Sequence, residues 1–355
     1  MKQPIEEPFQ ELSDNEVGVR IRSARAALGS DALLLGHHYQ TEAVVAFVDV
    51  KGDSYELSKR AAQSSARLIV FCGVHFMAES ADILTREDQT VVIPDLDAGC
   101  PMANMASIGE VESAWIQLAD ASNPDETFLP VTYINSLADV KAFCGKHGGI
   151  VCTSANAGKA MHWAQERRPK IFFLPDQHLG RNTALAQGFR PEEIALWEPQ
   201  LPLGGNSSEA LARARVLLWN GHCHVHSRFS MSHLEEARRQ HPEAKVIVHP
   251  ECRHELVAAS DASGSTGFIA KFVEAAPSGA TIVIGTEINL INRLARENPG
   301  KKILPLIPSM CPNMYKNSTR DLLYVLENPG KVNVVKVDSA VREPARLALQ
   351  RMLEL

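Results

Sequence analysis

Aromatic residues make up only 6% of the 355-residue chain, and its longest apolar runs, such as Leu68–Val74, extend over about seven residues. A membrane-spanning helix needs roughly 20, so the sequence predicts no span. Charge of one sign is not in excess: 36 Lys and Arg against 42 Asp and Glu give −6 at neutral pH. Without long basic runs the chain is a poor general binder of nucleic acid or anionic membrane. Small anionic substrates stay compatible, because a local pocket can oppose the global sign. No Cys-x-x-Cys pair occurs, which removes the zinc-knuckle and ferredoxin spacings. The opening residues, MKQPIEEPFQELSDNE, lack the apolar stretch of a secretory signal. Together with seven widely spaced cysteines, an odd number, this predicts a reducing compartment and a cytoplasmic enzyme. The 45% hydrophobic and 22% charged residues are those of a soluble globular chain, not of a disordered, collagenous or coiled-coil one. The length allows two or three domains.

What the sequence does contain is a diverged internal repeat. Short aliphatic runs of four to six residues recur, each ending in polar or glycine-bearing residues and most leading into a helical pattern. That rhythm predicts parallel α/β units. The first set comprises DALLLGHHY, GDSYELSKRAAQ, RLIVFCGVHFMAESADIL and TVVIPDLDAGC. The second comprises FLPVTYIN, GIVCTSANAGKAMHWA, KIFFLPDQHLGRNTALA and ARVLLWNGHC. The third comprises AKVIVHPE, DASGSTGFIAKFV, ATIVIGTEINLINRLA and KILPLIPSMC.

The same chemistries appear in the same order within each set. The first element ends in His37-His38-Tyr39, Tyr133-Ile134-Asn135 or His249-Pro250-Glu251. The second brings a small hydroxyl residue to a helix start: Ser54, Ser154 or Ser265-Thr266. The third ends in a polar turn with its own helix, and the fourth ends in Cys100, Cys223 or Cys311. From His37 to Cys100 is 63 positions and from His249 to Cys311 is 62. From Tyr133 to Cys223 is 90, and the excess falls in Gln187–Arg215, which reads as an inserted helix and loop. Any α/β chain shows strands at such intervals, but that does not explain three chemistries recurring in order. The reading divides the chain into units 1–108, 109–229 (with the insertion near 187–215) and 230–355. The segment 320–355 fits completion of the first unit as well as the third. Packed about a pseudo-threefold axis, three such units would aim their strand-end loops at one centre, where open parallel sheets carry their sites.

Each cysteine has an ordinary alternative as a small buried hydrophobe. Cys72 lies inside an apolar run and Cys152 inside a strand; Cys144 has no partner in sequence. Cys252 follows His249-Pro250-Glu251 but has no counterpart in the other sets. Cys100, Cys223 and Cys311 share a context, in DAGCPM, NGHCHV and PSMCPN. Thiolates suit iron–sulfur clusters and zinc. Three around a four-iron cluster leave one iron with an open position, a Lewis acid rather than an electron carrier. A competing signal is His222-Cys223-His224-Val225-His226, where His224 and His226 on one strand face could bind zinc. That reading predicts a metal-dependent hydrolase or lyase. A third, non-enzymatic reading is a small-ligand binding protein of repeated α/β lobes.

The motifs GHHYQ, GDSYELS, DAGCPMA, TYIN, CTSANA, FLPDQHLGRNTA, WNGHCHVHSRF, HPEC, GSTG and CPNMYKN fall in one order. In this the chain resembles the bacterial quinolinate synthases, from about Leu33 to its last residue. The resemblance implies a three-fold α/β/α assembly holding a 4Fe–4S cluster with Cys100, Cys223 and Cys311 as ligands. It implies condensation of iminosuccinate with dihydroxyacetone phosphate to quinolinate, with loss of phosphate and water, on the route to NAD. It also implies substrate binding by His37, Ser54, Tyr133, Asn135, Ser154, His249, Glu251 and Thr266, with Tyr39 and His226 near the reacting groups. An aspartate oxidase supplying the unstable iminosuccinate is a chemically reasonable transient partner. Two positions depart from the usual pattern: His38, where the motif often carries Asn or Tyr, and Tyr315, where a smaller residue is usual.

Such a reaction needs a base for each elimination and an acceptor for each leaving oxygen. Glu251 and Tyr39 are the titratable groups suited to proton transfer, with His226 and His37 assisting or clamping substrate. Phosphate suits Ser154 and Thr266, where a hydroxyl and a helix N-terminus coincide. At Ser54, carboxylate binding is as suitable as phosphate, and plain helix capping fits too.

Overall fold

The computed structural model describes residues 7–119 and 123–355. Its strands in chain order are β1 (Ala32–His37), β2 (Val50–Gly52), β3 (Leu68–Cys72) and β4 (Thr90–Val92), then β5 (Phe128–Tyr133), β6 (Ile150–Cys152), β7 (Lys170–Leu174), β8 (Ile194–Trp197) and β9 (Val216–Trp219). There follow β10 (Lys245–Val248), β11 (Ala262–Ser263), β12 (Thr281–Gly285), β13 (Lys302–Pro305) and β14 (Val334–Val335). Among the described residues no helix is long and apolar enough to cross a membrane.

Three sheets result, ordered β14-β4-β3-β1-β2, β6-β5-β7-β9-β8 and β11-β10-β12-β13. The repeat seen in the sequence reappears as topology. In every sheet the second strand of a set lies beside the first, the first beside the third, and the third beside the fourth, all parallel. Helices cross between parallel neighbours and cover both faces, so strands such as β3 (LIVFC), β5 (FLPVTY) and β12 (TIVIG) are buried along their whole length.

By packing, the chain divides into one unit of residues 1–100 and 310–338 and another of 101–309 and 339–355. In the first unit, helix Thr319–Glu327 lays Leu322, Leu323, Val325 and Leu326 into the core around Leu34 and Val70. β14 then pairs antiparallel with β4. This is the one departure from parallel order among the described strands.

The second unit contains the other two sheets. Its few aromatics are concentrated around Phe172 of β7, whose ring lies 6.1 Å from Trp115, 6.3 Å from Trp197 and 6.1 Å from Trp219. The insertion differs from the expected helix and loop. It carries β8, which joins the sheet as a fifth parallel strand beside β9, and only a short helix, Ser208–Arg213. The four-residue apolar run Ile194–Trp197 fits one turn of a buried helix as well as a strand, and only its pairing with β9 decides between them. The last helix, Ser339–Leu353, packs on helix Ala138–Lys146. Gly145 permits that approach, since a Cβ there would fall on the Pro344 carbonyl oxygen.

Candidate active site

In the second unit the carboxyl ends of β5, β7, β9, β10 and β12 converge on one carboxylate. Glu251 lies three residues beyond β10, in the turn closed by the Cys252 N–H donating to the His249 carbonyl at 3.0 Å. Tyr133, the last residue of β5, donates its hydroxyl to Glu251 Oε1 at 2.6 Å. His226 holds Glu251 Oε2 through Nδ1 at 3.0 Å and reaches Thr286 Oγ1, just past β12, through Nε2 at 3.2 Å. His249 stacks on His226 with ring centres 4.5 Å apart and approaches Glu251 Oε1 at 3.6 Å. All of these side chains except Cys223 are buried. Cys223 Sγ, a His226 nitrogen and a Glu251 oxygen lie within 4.8 Å of one another, a spacing that could hold a metal ion.

Electrostatics sorts the titratable groups. Burial alone would push Glu251 up, but the electrostatic influence of the adjoining His226 and His249 rings and the hydrogen bonds from His226 and Tyr133 hold it well below the usual carboxylate range. Its ionised form is the stable one. Burial lowers His249 to about 3, helped by His226 and opposed by Glu251, so its imidazole is neutral. Asp176, two residues past β7, goes the other way: burial raises it well above the ordinary value, and the Glu251 charge adds to the shift. Two carboxyl groups in one site are thus driven to opposite protonation states.

Asp176 also builds the site locally. Its Oδ1 caps helix Gln177–Ala186 by accepting from the Leu179 N–H at 2.6 Å. Gln177 N–H donates to the Gly221 carbonyl at 2.9 Å and Gly221 N–H to the Pro175 carbonyl at 3.0 Å, which ties the loop carrying Cys223 to the end of β7. Cys223 and the residues after it form a turn beyond β9 rather than a continued strand. The expectation of His224 and His226 on one strand face is therefore corrected: the glycine at 221 ends the ladder, and His226 turns inward while His224 stays half-buried. Burial, His226 and His222 lower the His224 imidazole.

The remaining expected binding residues of this unit stand near strand ends too. Asn135 follows β5, and its Oδ1 is buried with no hydrogen-bond partner among the described residues. Ser154 lies in the turn before helix Ala157–Gln165, three residues short of it, rather than at its start. Thr266 is the buried first residue of helix Thr266–Ala275; the capping is done by Ser265, which accepts from the Phe268 N–H at 3.3 Å.

In the first unit His37 ends β1 and is buried, with Tyr39 packed edge-on at 4.9 Å and donating its N–H to His37 Nδ1 at 3.2 Å. Ser54 is the first residue of helix Ser54–Gln63, whose cap is Asp53, accepting from Glu56 N–H at 3.0 Å. Cys100 and Cys311 lie on loops eight and six residues beyond β4 and β13. Those loops are stapled together. Asn317 donates to the Gly73 carbonyl at 2.6 Å and accepts from the Asp95 N–H at 3.2 Å, and Lys316 donates to the Asp97 carbonyl at 2.7 Å.

The seven thiols fall into two classes. Cys72, Cys144, Cys152 and Cys252 are buried, and burial pushes each thiol up, Cys72 to about 12. Cys100, Cys223 and Cys311 alone are half-buried. Soft, accessible sulfur is the donor set that iron–sulfur chemistry requires, and these three fit it.

Sequence reasoning missed Asp176 and Thr286. Both stand at the polar turn ending the third element of a set, a repeated position whose motifs, LPDQH and IGTE, were visible without a role.

A family model described as quinolinate synthetase A protein matches residues 19–354. The chain is 51% identical to the quinolinate synthase of Acidobacterium capsulatum, over 98% of this chain and 95% of that one. It is 47% identical to that of Corynebacterium glutamicum, over 100% and 91%, and 46% identical to that of Bacillus mycoides, over 99% and 98%. A match of this extent makes the chain a member of the quinolinate synthetase A protein family.

Proposed function

We propose that this enzyme condenses iminosuccinate with dihydroxyacetone phosphate to quinolinate, releasing phosphate and water, as a step toward NAD. The observation that carries the reading is the buried Glu251 carboxylate held by Tyr133 and His226 in a chain of this family. We infer a 4Fe–4S cluster with Cys100, Cys223 and Cys311 as ligands, supported by their being the only half-buried thiols. Bound there, the cluster supplies a Lewis-acidic iron with one open position. The shared strand order of the three sheets supports a pseudo-threefold arrangement with the strand-end loops about a common centre.

The protein's own groups have separable tasks. Glu251 takes a proton from substrate, its carboxylate held by Tyr133 and by His226, which bridges Glu251 and Thr286. Asp176, kept protonated by burial, adds no second negative charge beside Glu251. Neutral His249 offers an imidazole to a substrate carboxylate or hydroxyl. The Asn135 Oδ1 accepts from a substrate N–H or O–H, which supplies its missing partner. Ser154 and Thr266 bind the phosphate or a carboxylate beside helix N-termini. From the first unit His37 and Ser54 bind substrate and Tyr39 serves proton transfer. The unstable imine favours transient contact with the aspartate oxidase that makes it, and a thiolate-held cluster favours the reducing cytoplasm.

The test is iron, acid-labile sulfide and zinc per chain on protein purified without oxygen, followed by assay of quinolinate formation. About four iron and four sulfide with turnover supports the reading. Glu251→Gln should keep the cluster and turn over slowly; wild-type rates would remove Glu251 from the mechanism. Zinc without sulfide would favour a metal-dependent hydrolase or lyase, which the Cys223, His226 and Glu251 grouping could also serve.

A further inference from the structure

Glu251 sits on an irregular turn rather than at a strand terminus, so something other than the sheet must fix its backbone. The structure shows what does. Asn182 is buried on helix Gln177–Ala186, and its Nδ2 donates to both the Pro250 and the Cys252 carbonyls at 2.8 Å. Those carbonyls belong to the residues on either side of Glu251: the Pro250 oxygen lies on the peptide entering Glu251, and the Cys252 oxygen on the peptide leading from Cys252 to Arg253. The amide orientation is dictated by chemistry: two carbonyl oxygens can be met only by the NH2 group, since the flipped amide would set oxygen against oxygen. The Asn182 Oδ1 then faces His254 Nδ1 at 2.9 Å, so three of the amide's four hydrogen-bonding directions are engaged and its rotamer is held.

We propose that Asn182 is a positioning residue: it clamps the turn at the carbonyls of the residues before and after Glu251 and thereby aims the carboxylate at Tyr133 and His226. It touches neither the carboxylate nor, on this reading, the substrate. The helix that carries it is anchored at its start by Asp176, so the clamp is held rigidly relative to the end of β7. Its partners come from the turn beyond β10 and the first residue of helix His254–Ala259, one contiguous stretch 68 to 72 residues along the chain from Asn182. Misplacement of a reacting group by about 1 Å costs on the order of 100-fold in rate, which is the scale on which a lost clamp should act. The inference rests on the reading of Glu251 as the proton-transfer group.

The experiment compares Asn182→Ala, Glu251→Gln and the double variant as reconstituted holoenzymes, measuring kcat, both KM values, iron and sulfide. Asn182→Ala should lower kcat by about 10- to 100-fold with KM and cluster content unchanged. In the Glu251→Gln background the same change should lower kcat no further, because the group it aims is already gone. Wild-type kcat in Asn182→Ala, or a full multiplicative loss in the double variant, would overturn the clamp. Wild-type kcat in Glu251→Gln would instead remove the reading beneath it, whatever Asn182 does. Should Asn182→Ala fail to fold, His254→Ala decides: it frees the amide while leaving both donor contacts. A reduced kcat at normal cluster content then supports the clamp, and an unchanged kcat rejects it.

Discussion

The two classes of thiol lend themselves to a direct chemical test. Alkylation proceeds through the thiolate, so burial acts on reactivity twice, through access and through ionisation. Cys72 is pushed from 9.0 up to about 12. Below both values that shift lowers the thiolate population about 1,000-fold. Cys144, Cys152 and Cys252 are shifted in the same direction by the same cause. The perturbation is removal of metal by an anaerobic chelator, followed by iodoacetamide at pH 8 and peptide mass spectrometry over time. Cys100, Cys223 and Cys311 should alkylate first, with Cys72 far slower because burial denies it both access and thiolate. Reloading with iron and sulfide should then protect those three and change nothing at the other four. Labelling of Cys72 or Cys252 within tenfold of the Cys223 rate, in protein still folded by circular dichroism, would refute the reasoning. So would a member of the trio that reacts equally fast before and after loading; that cysteine would not be a ligand.

Further outcomes are expected. Cys100→Ala, Cys223→Ala and Cys311→Ala should each lose iron, sulfide and quinolinate formation, whereas Cys252→Ala should keep the metal; a colourless Cys252 variant would overturn the ligand assignment. Tyr133→Phe deletes a 2.6 Å bond to a buried carboxylate and should destabilise the fold by about 1.5–3 kcal/mol, read as a lower urea midpoint; an unchanged midpoint would mean that His226 alone satisfies Glu251. Gly145→Ala places a methyl group on the Pro344 carbonyl and should cost about 2 kcal/mol or more, read as a lower melting temperature; full stability would show that helix Ser339–Leu353 can shift without loss.

Much of this architecture is legible in the sequence, because parallel strands covered on both faces announce themselves as unbroken apolar runs. LIVFC, FLPVTY, KIFFL and TIVIG all became buried strands. The repeated chemistry at their ends is legible as well, since a loop at a strand's carboxyl end is where such sheets act. Less could be read where a run is short or partners are remote. β8 hides its identity because a four-residue apolar run, IALW, fits one turn of a buried helix as well as a strand. The pairing of β14 with β4 joins segments some 240 residues apart, and no local pattern encodes a partner at that distance. Asp53 and Ser265 show a finer limit. A hydroxyl or carboxyl beside a helix start is evident from sequence, but which of two adjacent residues caps it depends on the backbone angles of the turn. Asn182 is the extreme case. An asparagine in the middle of a helix carries no signal of its own; its meaning lies wholly in the two carbonyls it meets.

The interleaving of the two units has a consequence for how the protein is made. The first hundred residues form most of one unit, yet its closing helix and β14 belong to residues 310–338. At about 5–20 residues per second on the ribosome, the intervening stretch takes on the order of 10–40 s to synthesise. During that interval the outer edge of β4, with Val91 and Val92, waits for the strand that covers it. The second unit in turn waits for the final helix, Ser339–Leu353, which lies on helix Ala138–Lys146. Neither unit can complete its core until translation is nearly finished. A nascent chain of this kind carries unpaired sheet edge and uncovered apolar surface for tens of seconds, and so depends on holding chaperones more than its final compactness would suggest.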